Sequence, residues 1–160
     1  MTDPNGRVGA GHEAAVHDPY ADRPWLRFYA EGVPRDIHVP DVPLTALLDH
    51  AARAFPDRPA LSYFGRTLTY RELRSQVDRF AGALAALGVA KGDRVALVLP
   101  NCPQNVIAFF ATLRIGAVAV QHNPLYTERE FRHQLGDSRA AVAVVYDGAY
   151  ARINEIRSQT

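Results

Sequence analysis

Residues 92–101 have the sequence GDRVALVLPN, in which the apolar run Val95 to Leu99 is unbroken. A turn-forming Gly-Asp pair precedes the run and a Pro-Asn pair follows it, so the run has the length and boundaries of a strand. A strand that is apolar on both sides is typical of a parallel sheet with helices over both faces. The stretch therefore predicts an α/β fold.

The chain after this strand alternates between helical and strand patterns. Two strands are predicted, at residues 117–120 and 141–146. One helix begins near Pro103, one is opened by a capping box of Thr127 and Glu130, and one starts close to the end of the chain. The apolar residues assigned to these helices are Val106, Phe109, Phe110, Leu113, Phe131, Leu135, Tyr150, Ile153 and Ile156. Such alternation builds a parallel sheet through right-handed βαβ crossovers.

A helix and a hairpin are predicted earlier in the chain. Apolar residues recur at helical spacing over residues 44–55. Short strands at residues 60–64 and 67–69 flank Gly65-Arg66, which we interpret as the turn of a tight hairpin. The apolar positions of the helix are Leu44, Leu47, Leu48, Ala51 and Phe55.

A long helix is predicted directly after the hairpin. Thr69 and Glu72 have the spacing of a capping box, and Gly88 is the expected stop. The apolar stripe of this helix consists of Leu73, Val77, Phe80, Leu84 and Leu87.

The chain is expected to divide near residue 24. Residues 1–23 are rich in Pro, Gly, His and Asp without apolar periodicity, which predicts a disordered tail. Residues 24–160 are expected to be the amino-terminal part of a larger, truncated domain, since three parallel strands are too few to bury both faces and the last helix has barely begun. The aromatic cluster Trp25, Phe28 and Tyr29 is interpreted as packing this segment against the domain, with a partner-binding patch as the alternative.

The composition excludes several classes of protein. Eighteen Lys and Arg residues against 17 Asp and Glu give a net charge of +1, which argues against nucleic acid as a partner. The single cysteine, Cys102, fits a reducing cytoplasm. No signal peptide is recognised, and no apolar stretch reaches the ~20 residues that span a bilayer. We therefore expect a cytoplasmic protein, with peripheral membrane contact left open.

The motifs that would identify a catalytic site fail when examined singly. Residues 9–14, GAGHEA, fit the dinucleotide fingerprint but follow no predicted strand. Residues 88–93, GVAKGD, lack the order of a phosphate-binding loop and are interpreted as a helix stop and turn. Cys102 at a strand end is interpreted as a small buried residue, with a nucleophile as the alternative. The six His residues have no metal-ligand spacing. No catalytic, cofactor-binding or metal-binding residue is therefore assigned.

Several stretches in order resemble the adenylate-forming superfamily, which includes acyl-CoA synthetases, luciferases and peptide-synthetase adenylation domains. Residues 56–61 and 68–73 resemble the first motif that the superfamily shares, and residues 88–96 resemble the motif that usually follows it. Residues 113–118 resemble the motif written LKAGxAYVP. Residues 99–104 (LPNCPQ) and 123–127 (NPLYT) are similar to bacterial long- and medium-chain fatty-acid–CoA ligases.

The resemblance implies a two-step ligase reaction that uses a fatty acid, ATP, Mg²⁺ and CoA. Relatives hold the phosphates in a loop of the form TSGTTGxPK and use a lysine on a carboxy-terminal domain, and neither motif occurs in these 160 residues. We therefore expect a fragment that is inactive alone and needs no cofactor. One alternative is a non-enzymatic interaction domain, which could also associate with itself as a homo-oligomer. The other is a fragment of a ligase that acts on another acyl or aryl acid.

His122 departs from the pattern of this branch. Its relatives usually carry a small hydroxyl residue immediately before Asn-Pro. An imidazole at this position would fill space on the path of the acyl chain or of CoA, which puts the chain-length preference in question.

Overall fold

The computed structural model describes residue 20 and residues 22–157, and the chain divides into two compact units at Asp41 and Val42. In the first unit, residues Pro24–Phe28 form a 3₁₀ helix. The Arg23 guanidinium lies 2.6 Å from the Asp36 carboxylate, and Phe28 is 76% exposed. The tail predicted for residues 1–23 lies almost wholly outside the described residues, and the packing of the aromatic cluster on the domain stays a prediction.

The second unit is α/β, as the apolar run at 95–99 predicts. Every predicted helix and strand is present to within a few residues. The elements are α1 (Thr45–Ala54), β1 (Pro59–Tyr63), β2 (Arg66–Thr69), α2 (Tyr70–Ala86), β3 (Arg94–Val98), α3 (Pro103–Arg114), β4 (Val118–Gln121), α4 (Glu128–Ser138), β5 (Val142–Val145) and α5 (Asp147–Ile156).

Strand β3 is the centre of a three-stranded parallel sheet with the order β4-β3-β5. Val95 lies opposite Ala119 on one side and Val142 on the other. The chain therefore runs from β3 to one neighbour through α3 and returns past β3 through α4 to reach β5. Because the two crossovers cover opposite faces, the sheet is doubly wound.

The side chains of β3 alternate between two cores. Val95, Leu97 and Leu99 pack with residues of α1, α2 and α3, whereas Ala96 and Val98 pack with residues of α4 and α5. All four strand residues from Val95 to Val98 are completely buried. Each methylene removed from water is worth ~0.8 kcal/mol, so this short run anchors both faces of the unit.

The inward face of α3 differs from the prediction. Val106, Phe109, Phe110 and Leu113 are only partly buried, and the fully inward positions are Ala108, Ala111 and Thr112. Small residues at these positions allow α3 to lie close to α2, and the larger side chains are displaced to its flanks. The Thr112 hydroxyl donates to the Ala108 carbonyl at 2.8 Å, so its burial leaves no orphaned donor.

Helix α1 buries only part of the predicted stripe. Leu48 is buried as predicted, but Leu44, Leu47 and Phe55 are exposed, and the other buried residues are Thr45 and Ala52. The apolar spacing identified the helix but left more apolar residues than one face could bury, so the buried stripe could not be chosen from spacing alone.

The hairpin turn lies one residue earlier than predicted. Phe64 and Gly65 form the two-residue loop with φ of 44° and 77°, and Arg66 already belongs to β2. Two successive positive φ values are typical of a type I′ turn, whose twist suits a two-residue hairpin. Phe64 was overlooked because bulky residues seldom adopt this conformation.

Both predicted capping boxes are confirmed. The backbone N–H of Thr69 donates to Glu72 Oε2 at 2.8 Å and that of Thr127 donates to Glu130 Oε2 at 2.8 Å, while each threonine hydroxyl accepts from the glutamate N–H. Each threonine hydroxyl also donates to the carboxylate of its glutamate. The hydrogen bonds from the backbone N–H and the hydroxyl hold the pKa of both carboxyls below their usual range.

An ion-pair network joins the three helices on one face of the sheet. Arg114 of α3 binds the Asp49 carboxylate of α1 through two hydrogen bonds of 2.7 and 2.9 Å. Its Nε lies 3.2 Å from the Asp78 carboxylate of α2. The hydrogen bond from Arg114 lowers the pKa of Asp49, and the same bond raises the pKa of Arg114.

Candidate ligand site at the carboxyl end of the parallel sheet

Two cavities open where the parallel strands end. Strand β3 is followed by α3 on one face, and its neighbour β5 is followed by α5 on the other. In doubly wound sheets such a change of direction leaves a crevice outside the carboxyl ends of the strands, which is the usual place for a ligand. The geometry of the unit therefore points to this end of the sheet.

The first cavity, here called the β3–β5 crevice, has a volume of about 830 Å³. It lies between the ends of these strands and α2. Its lining includes Arg79, Phe80, Leu99, Cys102, Tyr146 and Asp147. The walls are mostly apolar, with two charged side chains, as expected for a site that holds a mainly apolar ligand in a fixed orientation.

The second cavity, here called the β3–β4 pocket, has a volume of about 590 Å³. It shares Leu99, Pro100 and Tyr146 with the crevice. The other lining residues include Asn101, Asn105, Gln121, His122, Asn123 and Leu125. This pocket is therefore much richer in amide and imidazole groups than the crevice beside it.

Tyr146 lines both cavities, and Gly148, two residues later, leaves room for its ring. A Cβ atom at Gly148 would lie 2.4 Å from Cε2 of the Tyr146 ring, which is closer than real Cβ contacts come. Gly148 thus gives the ring room against the first turn of α5, and any larger residue there would displace it.

His122 forms part of the wall of the β3–β4 pocket. It is only 5% exposed, and its Nδ1 lies 2.9 Å from the Val120 carbonyl oxygen. A carbonyl oxygen can only accept, so Nδ1 carries a hydrogen, and in the neutral form of the ring Nε2 is then an acceptor. Nε2 is buried without a hydrogen-bond partner. The sequence predicted that His122 fills space on the path of a ligand, and in the structure its side chain does line a cavity.

Asn105 of helix α3 also has a buried polar atom without a hydrogen-bond partner. It lies in the first turn of α3 and lines the same pocket, and its Oδ1 is buried without a partner. Sequence reasoning missed Asn105, Tyr146 and Arg152. For Asn105 and Tyr146 the available signal was their position shortly after β3 and β5, at the end of the sheet where such sites form, whereas Arg152 lies within α5.

The loop that follows His122 is held in one conformation by α5. Asn123 Oδ1 accepts from the Leu125 N–H at 3.0 Å, closing a local turn. Arg152 of α5 donates to the Tyr126 carbonyl at 2.9 Å and to the Pro124 carbonyl at 3.3 Å. These bonds satisfy the loop carbonyls and fix the pocket wall before any ligand arrives.

The remaining sequence candidates fall elsewhere or stay open. Residues 9–14 lie outside the described residues. Residues 88–93 form the predicted stop and turn, with φ of 88° at Gly88 and 90° at Gly92, and they precede β3 at the opposite end of the sheet. Cys102 is the N-cap residue of α3 and lines the β3–β5 crevice, partly exposed. Its predicted burial is therefore only partial.

Neither a metal centre nor a membrane-spanning helix is found in residue 20 and residues 22–157. In that part of the chain, no group of three or more His, Cys, Asp or Glu side chains is placed to hold a metal ion. None of the helices there combines the length and the apolar character that crossing a membrane requires.

Comparison with known sequences gives consistent matches. The profile of the AMP-binding enzyme family matches residues 48–160. The chain is 39% identical over 127 residues to a long-chain-fatty-acid–CoA ligase of Bacillus subtilis (strain 168), covering 79% of this chain and 23% of that protein. A ligase of the same name from Yersinia pestis is 42% identical over 137 residues, covering 84% and 24%. The chain thus spans about a quarter of the length of these relatives.

Comparison with solved structures agrees. The crystal structure of the anthranilate–CoA ligase AuaEII, in complex with anthranoyl-AMP, matches with a TM-score of 0.70 at 30% identity. The match covers 74% of this chain and 24% of that protein.

Proposed function

The chain belongs to the AMP-binding enzyme family of adenylate-forming ligases, and from this membership we propose that the full-length protein is an ATP-dependent fatty-acid–CoA ligase of the cytoplasm. The names of the relatives with about 40% identity support the fatty-acid class. The observation that carries the proposal is the pair of cavities at the switch point of a doubly wound sheet.

The reaction would proceed in two balanced steps. A carboxylate oxygen of the fatty acid attacks the α-phosphorus of ATP, the bond to pyrophosphate breaks, and an acyl-adenylate forms. The thiolate of CoA then attacks the acyl carbonyl carbon, and AMP leaves with the pair of electrons of the acyl–oxygen bond. A mixed anhydride of this kind, anthranoyl-AMP, is bound by the structural relative.

Within this reaction, the described residues would bind and orient rather than catalyse. The half-buried Phe80 and the buried Leu99 offer the crevice apolar surface for an acyl chain. The residues that the structure describes include no set of side chains that fits Mg²⁺, so no step is assigned to the metal here. We assign no catalytic residue to this chain, and we expect the 160 residues alone to be inactive.

The proposal is tested by acid-dependent ATP–pyrophosphate exchange and CoA thioester formation with the full-length protein. Saturated fatty acids of graded length are compared with benzoate and anthranilate. We expect exchange with fatty acids and at least tenfold lower kcat/KM with the aryl acids. A reversed order would replace the fatty-acid class with an aryl acid, and absence of exchange with every acid would refute the ligase.

The isolated 160-residue chain is the matched control in the same assay. We expect no exchange above background from it. Turnover by the isolated chain would contradict the proposed inactivity while leaving the family membership intact.

A second candidate is a domain that associates through the edges of its sheet. Within the described residues, β4 and β5 each pair on one side only, and Val118 of β4 is 47% exposed. An open edge can pair with a strand of another chain, a second copy included. Light scattering of the purified chain over a range of concentrations tests this. A monomer throughout would eliminate self-association.

A further inference from the structure

We propose that His122 and Asn105 form a subsite that accepts hydrogen bonds from a hydroxyl or amide N–H group of the bound ligand. The inference rests on the proposed ligase function for the identity of the ligand, and on the β3–β4 pocket alone for its chemistry. It assigns a role to the residue that departs from the branch pattern.

The first step is the hydrogen-bonding capacity of the pocket wall. The Val120 carbonyl fixes a hydrogen on Nδ1 of His122, so the buried Nε2 is an acceptor in the neutral form of the ring. Oδ1 of Asn105, a carbonyl oxygen, is likewise an acceptor. Both residues line the β3–β4 pocket, and a ligand group that brings donors would complement both unpaired acceptors.

The second step is the energetic asymmetry of such groups. A buried acceptor without a partner costs more than a made hydrogen bond gains, so a site of this kind discriminates strongly in favour of a ligand with a donor. An unsubstituted alkyl chain in the same place would leave both acceptors unpaired. The pocket is thus matched to a polar group on an otherwise apolar ligand.

The third step is preorganisation. The His122 N–H donates to the Leu97 carbonyl at 3.0 Å, which ties the residue to β3. Arg152 holds the following loop through two carbonyls, as described above. The imidazole therefore does not need to be ordered when the ligand binds, and the full preference is available for discrimination.

Two parts of a ligase substrate set have this chemistry. One is a hydroxyl substituent on the fatty acid, and the other is the pair of amides in the pantetheine arm of CoA. The experiment separates them by varying the acid and the thiol independently.

In the acid arm, the full-length protein is assayed with an unsubstituted fatty acid and with its hydroxy derivatives of the same length. In the thiol arm, CoA is compared with a simple alkyl thiol that lacks amides. We expect about a tenfold or greater preference in kcat/KM for the donor-bearing member of one pair.

The test variants are His122→Asn and Asn105→Leu. Asparagine at 122 can keep a donor near the Val120 carbonyl while removing Nε2, and leucine removes the amide of Asn105 at similar volume. We expect the preference to fall to within about twofold in both variants. The matched controls are His133→Phe and Asn154→Leu, two exposed helix positions at which the preference should be unchanged.

A binding readout keeps the inference independent of turnover. The ¹⁵N signal of His122 Nε2 is recorded in the wild-type full-length protein with each probe. A change with the hydroxy acid or CoA, and none with the unsubstituted acid or alkyl thiol, supports the subsite even if no thioester forms. A signal unmoved by every probe, together with no preference in either arm, means that water alone serves these acceptors, and it overturns the inference without touching the ligase proposal.

Discussion

The two ends of the parallel sheet are built from the same strands but treat their polar groups in opposite ways. At the amino end, Asp93 accepts from the Ala90 N–H at 2.8 Å, and the Arg94 side chain donates to the Ser138 and Arg139 carbonyls. At the carboxyl end lie two cavities and the unpartnered acceptors of His122 and Asn105. One end is closed by the chain's own hydrogen bonds, and the other is open and keeps two acceptors unpaired.

The described residues contain one more buried side-chain atom without a hydrogen bond, Arg114 Nε, and it does not weaken this contrast. Arg114 lies at the last turn of α3, near the amino end, and its Nε is 3.2 Å from the Asp78 carboxylate. The group thus has a charge partner although the geometry is not that of a hydrogen bond. The charged groups near the amino end thus have partners, whereas the two acceptors at the carboxyl end have none.

Among the tests of this contrast, the largest change in stability is expected for Gly116→Ala at the amino end. Gly116 has φ of 75°, and an added Cβ would lie 3.0 Å from Lys91 Cγ. The left-handed backbone and this contact should lower the free energy of unfolding by about 1–2 kcal/mol. Urea unfolding of the purified chain measures it.

Gly82→Ala is the matched control for this change. Gly82 lies inside α2 with nothing within 4 Å of an added Cβ. Alanine there should stabilise by about 0.5–1 kcal/mol. Equal changes in the free energy of unfolding at the two glycines would mean that the backbone at Gly116 does not require a glycine.

A middle-sized effect is expected for Asp49→Asn, also on the amino-end side. The pKa of Asp49 is lowered by its hydrogen bonds from Arg114, so its stabilising effect is present above the unfolded pKa of about 3.9 and is lost as the pH falls through the folded pKa. The variant should be about 1 kcal/mol less stable than wild type at neutral pH and equally stable at the acid limit. Urea unfolding over a pH series measures it, and a difference that does not depend on pH would show that the ion pair is not its cause.

The smallest effect, with the opposite sign, is expected at the carboxyl end. Asn105→Leu removes an acceptor that has no partner and places a better helix former in α3, so stability should be unchanged or rise by up to about 1 kcal/mol. The same urea assay measures it, with Asn154→Leu as the control. A loss of more than about 1 kcal/mol would mean that Asn105 is satisfied within the fold, and the contrast between the two ends would fail.

The sequence predicted the elements of the second unit better than their buried faces. Capping boxes and the run at 95–99 are local signals, and each was read correctly. The inward face of α3 was predicted wrongly because the approach of α2 selects Ala108 and Ala111 over the larger Phe109 and Phe110. Such a choice depends on a neighbouring helix, which spacing within one helix does not reveal.

The candidate site could be predicted only in part. His122 stood out as a departure from a known pattern, and the structure adds that its Nε2 is unpaired. Asn105 and Arg152 carry no local motif, since their roles arise from elements that are distant in the chain. Arg152 acts on the loop after β4 only because α5 packs on the same face of the sheet as α4.

The strand order has a consequence for how the chain acquires its structure. Val95 pairs with Ala119 and Val142, both of which follow it in the chain, and each parallel pairing requires an intervening helix. During synthesis, the most deeply buried strand would therefore emerge before both of its partners and wait for them with both edges open. Non-local pairings of this kind form slowly, and open apolar strands associate with one another. Refolding yield should consequently fall with protein concentration, whatever the stability of the finished fold.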